Sequence, residues 1–264
     1  MPENFINSTQ TRADHILREL QTHGSVSIQD LVQTLDVSVA TIRRDLQDLE
    51  EQGLLRRVHG GAISIAPLFY EPFRHDSSFQ EEIGRQAAEK RRIANAAAEL
   101  IRDGDTIILT AGTTTTEIVR SMRQRRGVSV VTNAVNVAME LSKRKDINVI
   151  VTGGYLRGDW FSLVGPPAAN TISHLFPAIA FLGANGVDPE RGLTSNDPDE
   201  AEINNLMVRQ ARKKVAVADH TKLGVVASCL ICPMESVDLL ITDSGAAPEA
   251  IRGFEARGIE VQRV

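Results

Sequence analysis

The segment from Ser38 to Ile63, SVATIRRDLQDLEEQGLLRRVHGGAI, constrains the fold more than any other part of the chain. Its apolar residues recur at helical spacing: Val39, Ile42, Leu46 and Leu49. This spacing predicts an amphipathic helix with those four side chains on the buried face. Ser38 can cap the start of the helix and Gly53 can close its end, so we place the helix between them.

Two shorter helical patterns precede this helix and a hairpin pattern follows it. Apolar residues recur at helical spacing in Arg12–Leu20 and again in Ile28–Leu35. Gly24 and the stretch Ser25–Ser27 separate the two patterns. Leu54–Ile63 then predicts two short strands. Three helices in this order indicate a helix-turn-helix, and the hairpin after the third helix is the wing of such a domain.

The face of the third helix opposite its apolar stripe carries small and polar side chains that can reach the major groove. Further basic side chains lie on the predicted wing. We predict a DNA-binding surface formed by Ser38, Ala40, Thr41, Arg43, Arg44, Gln47, Arg56, Arg57 and His59. A solvated helix with charge pairs along its surface is the alternative for the helix alone, and the wing argues against it.

Net charge limits how such a surface can work. The whole chain carries −5, and residues 1–62 contain six Lys or Arg against nine Asp or Glu, a net charge of −3. This excludes a domain that coats nucleic acid without regard to sequence. Clustered arginines can still contact phosphates locally while base-edge contacts set the sequence that is read.

These residues resemble the signature of the DeoR family of transcriptional regulators. The resemblance rests on the apolar pattern of the first helix, on the run Thr41–Leu46, TIRRDL, and on the wing sequence LLRRVHGGA. It implies an α/β chain, with an N-terminal winged helix-turn-helix domain followed by a ribose-5-phosphate isomerase-like α/β sensor domain. We predict the DNA-binding domain over residues 1–62, a linker over 63–80 and the sensor domain over 81–264.

After the predicted linker, glycine-bounded apolar runs alternate with helical segments. In DGDTIILTAGTTTTEIVRSM, a buried strand leads through a Gly- and Thr-rich turn into a helix, and such a turn can hold an anion. Polar turns also follow other predicted strands. Because ligands of open α/β sheets bind at the carboxyl ends of strands, we expect these turns to converge on one crevice. Ordinary turn chemistry is the alternative for any single turn.

The family resemblance implies that the crevice binds a phosphorylated sugar. The Gly112–Thr116 turn would hold the phosphate, Lys222 would add a positive charge and Asp219 would accept a hydroxyl. The predicted effector-binding residues are Gly112, Thr113, Thr114, Thr115, Thr116, Asn133, Gly153, Gly154, Asn185, Gly186, Asn196, Glu200, Asp219 and Lys222. Asn196 and Glu200 could instead belong to the start of a solvated helix.

Other features of the sequence predict neither a metal nor a cofactor. Cys229 and Cys232 form a CxxC pair inside an apolar run without a second ligand pair, so we expect buried strand thiols. We find no long apolar run and no secretory signal pattern, which predicts a cytoplasmic protein without membrane contact.

Together these features predict a sequence-specific regulator of transcription. We expect a repressor of a carbohydrate-catabolism operon that a phosphorylated sugar releases from its operator DNA, acting as a homodimer or homotetramer. The alternative is a sugar-phosphate isomerase with a DNA-binding appendage, for which Glu200, Asp219 and Lys222 supply candidate groups. An interaction scaffold without a ligand is a third possibility. We expect no enzymatic activity.

Overall fold

The computed structural model describes residues 9–23, 25–51, 54–64, 82–122, 125–142 and 144–264. The chain divides into two compact units, residues 1–75 and 76–264. Most of the predicted linker over 63–80 lies outside the described residues, as do Gly24 and Gly53. The roles predicted for them stay predictions.

The N-terminal unit is a three-helix domain with a small antiparallel sheet. Its elements are α1 (Thr9–His23), β1 (Ser25–Ser27), α2 (Ile28–Leu35), α3 (Val39–Glu51), β2 (Leu55–Val58) and β3 (Gly61–Ser64). The helices enclose a core in which Ile16, Leu31 and Ile42 are at most 2% exposed. The predicted winged helix-turn-helix is therefore confirmed.

One residue of the predicted apolar stripe of α3 does not reach this core. Leu46 and Leu49 are buried beside Ile42 as predicted, whereas Val39 is 45% exposed. The placement of Val39 on the buried face was wrong. Helical side chains lean toward the N-terminus, so the side chain of the first residue extends beyond the end of the packed helices.

The wing is held to the rest of the domain by a strand that the sequence did not predict. β1 pairs with β3, and β3 pairs with β2, in the order β1-β3-β2. A Cβ atom on Gly61 would lie 2.0 Å from the carbonyl oxygen of Val26. Glycine at this position therefore allows β3 to approach β1.

A buried ion pair joins α1 to α3. Arg12 Nε donates to Asp45 Oδ2 at 2.8 Å, and Arg12 Nη2 donates to Asp45 Oδ1 at 3.0 Å. Arg12 is 8% exposed and Asp45 is 4% exposed. The two parallel hydrogen bonds compensate the two buried charges and also restrict the angle at which α1 crosses α3.

The C-terminal unit is an α/β domain. Its helices are α4 (Ala87–Glu99), α5 (Thr113–Ser121), α6 (Val135–Leu141), α7 (Pro166–Ser173), α8 (Pro198–Gln210) and α9 (Pro248–Glu255). Its strands are β4 (Thr106–Leu109), β5 (Val128–Thr132), β6 (Ile147–Val151), β7 (Tyr155–Arg157), β8 (Ser162–Val164), β9 (Ile179–Leu182), β10 (Gly186–Asp188), β11 (Gly192–Ser195), β12 (Lys213–Val217), β13 (Cys229–Cys232), β14 (Leu239–Thr242) and β15 (Glu260–Arg263).

Seven of these strands form one parallel sheet in the order β15-β14-β12-β9-β4-β5-β6. The chain enters at β4 and runs outward to β6. It then returns to β9, on the other side of β4, and runs outward to β15. The order of the strands therefore reverses between β4 and β9, and ligands of such sheets bind at this switch point, beyond the carboxyl ends of the strands.

Helices cover both faces of the sheet. Along β4, Ile107 and Leu109 point into a core that α4, α5 and α6 complete, while Ile108 points into the core beneath α7, α8 and α9. The alternation follows from the two-residue period of a strand. Strands buried on both sides explain the continuous apolar runs in the sequence, and the predicted α/β fold class is confirmed.

Two smaller antiparallel sheets complete the unit, β7 with β8 and β10-β11-β13. The predicted strand thiols lie on β13. Cys232 is buried as predicted, which raises its pKa to about 11, whereas Cys229 is only partly buried, so the prediction of a buried thiol was wrong for that residue. Within the described ranges, no group of three or more His, Cys, Asp or Glu could hold a metal ion. Among the described helices, none is long and apolar enough to cross a membrane.

Candidate functional site

The first candidate site is the exposed face of α3, which begins at the helix cap. Ser38 Oγ accepts a hydrogen bond from the backbone N–H of Thr41 at 3.2 Å and lies 3.0 Å from Thr41 Oγ1. Both hydroxyls thus help to hold the first turn of the helix. Four predicted DNA-binding residues on α3 are exposed: Ala40, Arg43, Arg44 and Gln47.

The wing lies against the C-terminal half of α3 through Arg57. Its backbone N–H donates to Glu50 Oε1 at 2.8 Å, and its Nε lies 3.9 Å from Glu50 Oε2. His59 is exposed at the turn of the hairpin. The side chain of Arg56 lies outside the described part of the structure. The sequence therefore found the exposed face, but not the contact between Arg57 and Glu50.

The second candidate site is a crevice in the C-terminal unit. It lies at the carboxyl ends of β4, β9 and β12, where the strand order reverses. Its volume is about 620 Å³, including the open mouth. Half of the predicted effector-binding residues line it: Gly112, Thr113, Thr114, Asn185, Glu200, Asp219 and Lys222.

The turn between β4 and α5 presents backbone donors to the crevice. Gly112 precedes the helix at φ +154°, and the backbone N–H of Thr116 donates to its carbonyl oxygen at 3.1 Å. The N–H groups of the first helical residues have no acceptor within the helix. The helix dipole adds partial positive charge at this end, so the turn is suited to an anion.

Three predicted polar residues near this turn are instead used inside the protein. Thr115 Oγ1 donates to Thr110 O at 2.7 Å, and Thr116 Oγ1 donates to Gly112 O at 2.7 Å. Asn133 accepts from Ala111 N at 3.1 Å through Oδ1. None of the three lines the crevice. Their side chains hold the turn in shape, a role that sequence spacing cannot separate from ligand binding.

Four more predicted residues also lie away from the lining of the crevice. A Cβ atom on Gly154 would lie 2.5 Å from Val164 O, and one on Gly186 would lie 2.3 Å from Val225 O. These glycines allow close backbone packing. Gly153 has a positive φ of +71° and does not line the crevice either. Asn196 lines a neighbouring cavity that shares Trp160 and Glu200 with the crevice.

The lining of the crevice also includes residues that were not predicted from the sequence, among them Glu82, Lys90, Trp160 and Asn204. Trp160 is the only tryptophan of the chain. Asn204, on α8, is 7% exposed, and its Oδ1 is buried without a hydrogen-bond partner. A buried acceptor of this kind costs free energy unless a donor reaches it, so it marks a position suited to a ligand hydroxyl.

Glu82 lies between two lysines. Lys222 Nζ is 2.9 Å and Lys90 Nζ is 3.4 Å from Glu82 Oε1, and Lys90 Nζ also donates to the carbonyl oxygen of Glu82 at 2.6 Å. Burial raises the pKa of Glu82, but Lys222 and Lys90 outweigh that effect and hold it below its usual value. Burial lowers the pKa of Lys90, which Glu82 and Asp219 only partly oppose.

Two carboxylates of the crevice have partners within the protein. Asp219 is 1% exposed and accepts from Thr221 N at 3.0 Å, which caps a short helix that ends at Lys222. Glu200 accepts from Ser162 Oγ. Burial raises the pKa of Glu200 against the effect of this hydrogen bond. Both side chains still line the crevice.

Comparison with known protein families identifies both units. Residues 12–67 match the model of the DeoR-like helix-turn-helix domain, and residues 85–244 match that of the DeoR C-terminal sensor domain. The chain belongs to the DeoR family. The predicted family resemblance is confirmed.

Curated members of the DeoR family are similar over nearly the full chain. The HTH-type transcriptional regulator GolR of Listeria innocua is 35% identical over 95% of this chain and 97% of its own. The putative aga operon transcriptional repressor of Escherichia coli O157:H7 is 35% identical over 98% of this chain and 95% of its own. The protein is a DNA-binding transcriptional regulator.

Among solved structures, ribose-5-phosphate isomerase A of Methanocaldococcus jannaschii is 17% identical, with a TM-score of 0.39 over 52% of this chain and 54% of that chain. A likeness at this level transfers no activity.

Proposed function

We propose that this regulator is a repressor that binds operator DNA through its winged helix domain and leaves it when a phosphorylated sugar binds the crevice. The observation that carries the proposal is the crevice at the switch point, where the N-terminus of α5 and Lys222 face one cavity. In this proposal the regulator acts in the cytoplasm as a homodimer or homotetramer, and its paired DNA-binding domains bind paired half-sites of the operator.

On the DNA side, each residue has a role that follows from its position. Ala40, Arg43, Arg44 and Gln47 are exposed on α3 and contact base edges or the flanking phosphates. Ser38 and Thr41 hold the helix N-terminus near the phosphate backbone. Arg56, Arg57 and His59, on the wing, contact phosphate or the minor groove.

In the crevice, the phosphate binds the N–H groups of the Gly112–Thr114 turn and Lys222. The sugar hydroxyls then have acceptors and donors around them. Asn204 Oδ1 is a buried acceptor without a partner, and Asp219, Glu200 and Asn185 line the same space. Trp160 offers an apolar surface for a sugar face.

An isomerase function has less support. It needs a general base beside the C2 proton and an electrophile for the enediolate. Asp219 already accepts from Thr221, and Glu200 accepts from Ser162. The name of the Escherichia coli relative, a putative aga operon repressor, further supports repression. Incubation with pentose or hexose phosphates should therefore give no interconversion.

The experiment is a fluorescence anisotropy titration of labelled operator, with and without sugar phosphates. An effector should lower operator affinity, and operator should weaken effector binding by the same factor, typically about 5- to 150-fold. Lys222→Ala and Thr114→Val should bind operator normally but resist release. Lys214→Ala is the matched control, because Lys214 lies at the other end of β12, beside Asp238. The proposal fails if ligand tightens operator binding, or if both crevice variants are released as readily as the parent.

A further inference from the structure

The two lysines of the crevice already have an anionic partner. Glu82 Oε1 lies within 3.4 Å of both Nζ atoms, and its side chain is only 14% exposed. Asp219 supplies a second negative charge that acts on Lys90. The two cations are therefore balanced by two carboxylates, with Glu200 as a further carboxyl group in the lining.

This balance matters for any anion that enters. A phosphate dianion placed among these groups would add negative charge to a crevice with no surplus positive charge among the described residues, and like charges at close range are unfavourable. A phosphate must therefore compete with the present carboxylate partner for the donors of a lysine.

Lys222 is the lysine that can change partners. Its side chain is 25% exposed, and the ion pair with Glu82 is its contact in the crevice. Lys90 is 2% exposed and is also held by the backbone carbonyl oxygen of Glu82, which does not depend on the carboxylate. The carboxylate of Glu82 can therefore leave Lys222 without stripping Lys90 of every acceptor.

We propose that Glu82 is an internal competitor of the effector, whose carboxylate occupies Lys222 in the ligand-free protein and must release it before the effector phosphate binds. The inference rests on the proposed function and adds a residue that sets its selectivity. A neutral sugar cannot displace the carboxylate, and a dianion can. Glu82 thus weakens binding of every anion and leaves phosphate esters as the effective ligands.

The test uses inorganic phosphate as the probe and isothermal titration calorimetry on the full chain. Glu82→Gln removes the charge and keeps an oxygen that can accept from the lysines. It should bind phosphate about tenfold more tightly than the parent, because the competing charge is gone. Glu99→Gln makes the same change on the exposed end of α4, where Glu99 is 82% exposed, and should leave phosphate affinity unchanged. Glu82→Ala serves if the amide variant folds poorly.

A double-mutant cycle identifies the lysine involved. In a Lys222→Met background, Glu82→Gln should improve phosphate binding clearly less than it does in the parent, because only the repulsion between the carboxylate and the phosphate is then relieved. If the parent binds phosphate and neither Glu82 variant binds it more tightly, the proposal that Glu82 competes with the effector is wrong. The proposed function is then unaffected. If Glu82→Gln improves phosphate affinity as much in the Lys222→Met background as in the parent, Lys222 is not the lysine for which Glu82 competes. If neither the parent nor any variant binds phosphate or sugar phosphates, the proposed function itself fails.

Discussion

Removal of one partner of the buried ion pair between Arg12 and Asp45 should strongly destabilise the winged helix domain. Arg12→Met removes the cation and leaves the carboxylate of Asp45, whose side chain is 4% exposed, without its partner. Removing one member of a buried pair costs about 3–5 kcal/mol. This is a large part of the roughly 5–15 kcal/mol that holds an ordinary domain together.

Hydrogen exchange of peptides from α3 measures this loss without assuming that both units unfold together. The expected cost corresponds to an increase of roughly 10²- to 10⁴-fold in the opening constant, because each 1.4 kcal/mol is a factor of ten. Arg57→Met is the matched control, since Arg57 and Glu50 form a pair in the same domain with side chains 43% and 40% exposed. It should cost at most about 1 kcal/mol.

The double variant Arg12→Met, Asp45→Leu separates charge from packing. It should be more stable than either single variant, because neither buried charge is then left alone. The reasoning is refuted if Arg12→Met costs no more than Arg57→Met, or if the two single effects simply add.

Three further predictions concern other parts of the chain. Arg44→Ala should leave the fold intact and cost about 1–3 kcal/mol of binding free energy at one base pair of the operator. Titrations against operator variants measure this cost, and unchanged affinity and base preference would show that Arg44 does not contact a base. Gly61→Ala should lower the melting temperature of the DNA-binding domain and weaken operator binding, because its Cβ would collide with the backbone of β1. Cys229 should react with Ellman's reagent in the native protein while Cys232, with its pKa raised to about 11, reacts only after unfolding; equal native rates would contradict the burial of Cys232.

The N-terminal domain could be predicted well because its signals are local. α2 begins at Ile28 and ends at Leu35 as the periodicity indicates, and Ser27 Oγ accepts from the N–H of Asp30 as its cap. The pairing of β1 with the wing could not be predicted, since a three-residue strand has no period of its own. The contact between Arg12 and Asp45 spans 33 residues of sequence and depends on how the helices cross.

The sequence predicted the crevice residues that follow strands, but it did not predict those that lie on helices, such as Lys90. Gly112, Asn185 and Asp219 lie two or three residues after the ends of strands, and parallel strands bring their ends together. Lys90 lies in the sequence AAEKRR, which has the composition of a solvated helix surface. Only the packing of α4 against the sheet buries it. Threonines and asparagines were over-predicted, because hydrogen bonds to the protein's own backbone use the same side chains as those to a ligand.

The DNA-binding domain is acidic overall, but the basic and acidic residues of α3 are separated along the helix. Arg43 and Arg44 lie in its N-terminal half, while Asp48, Glu50 and Glu51 lie in its C-terminal half. This distribution opposes the helix dipole, which favours acidic residues at the start and basic residues at the end. This distribution therefore lowers helix stability, but it places the arginines at the positive end of the helix dipole. A local rule is expected to be broken in this way where function outweighs stability. Here the distribution concentrates positive potential on the half of α3 that we propose contacts DNA, in a domain whose net charge is −3.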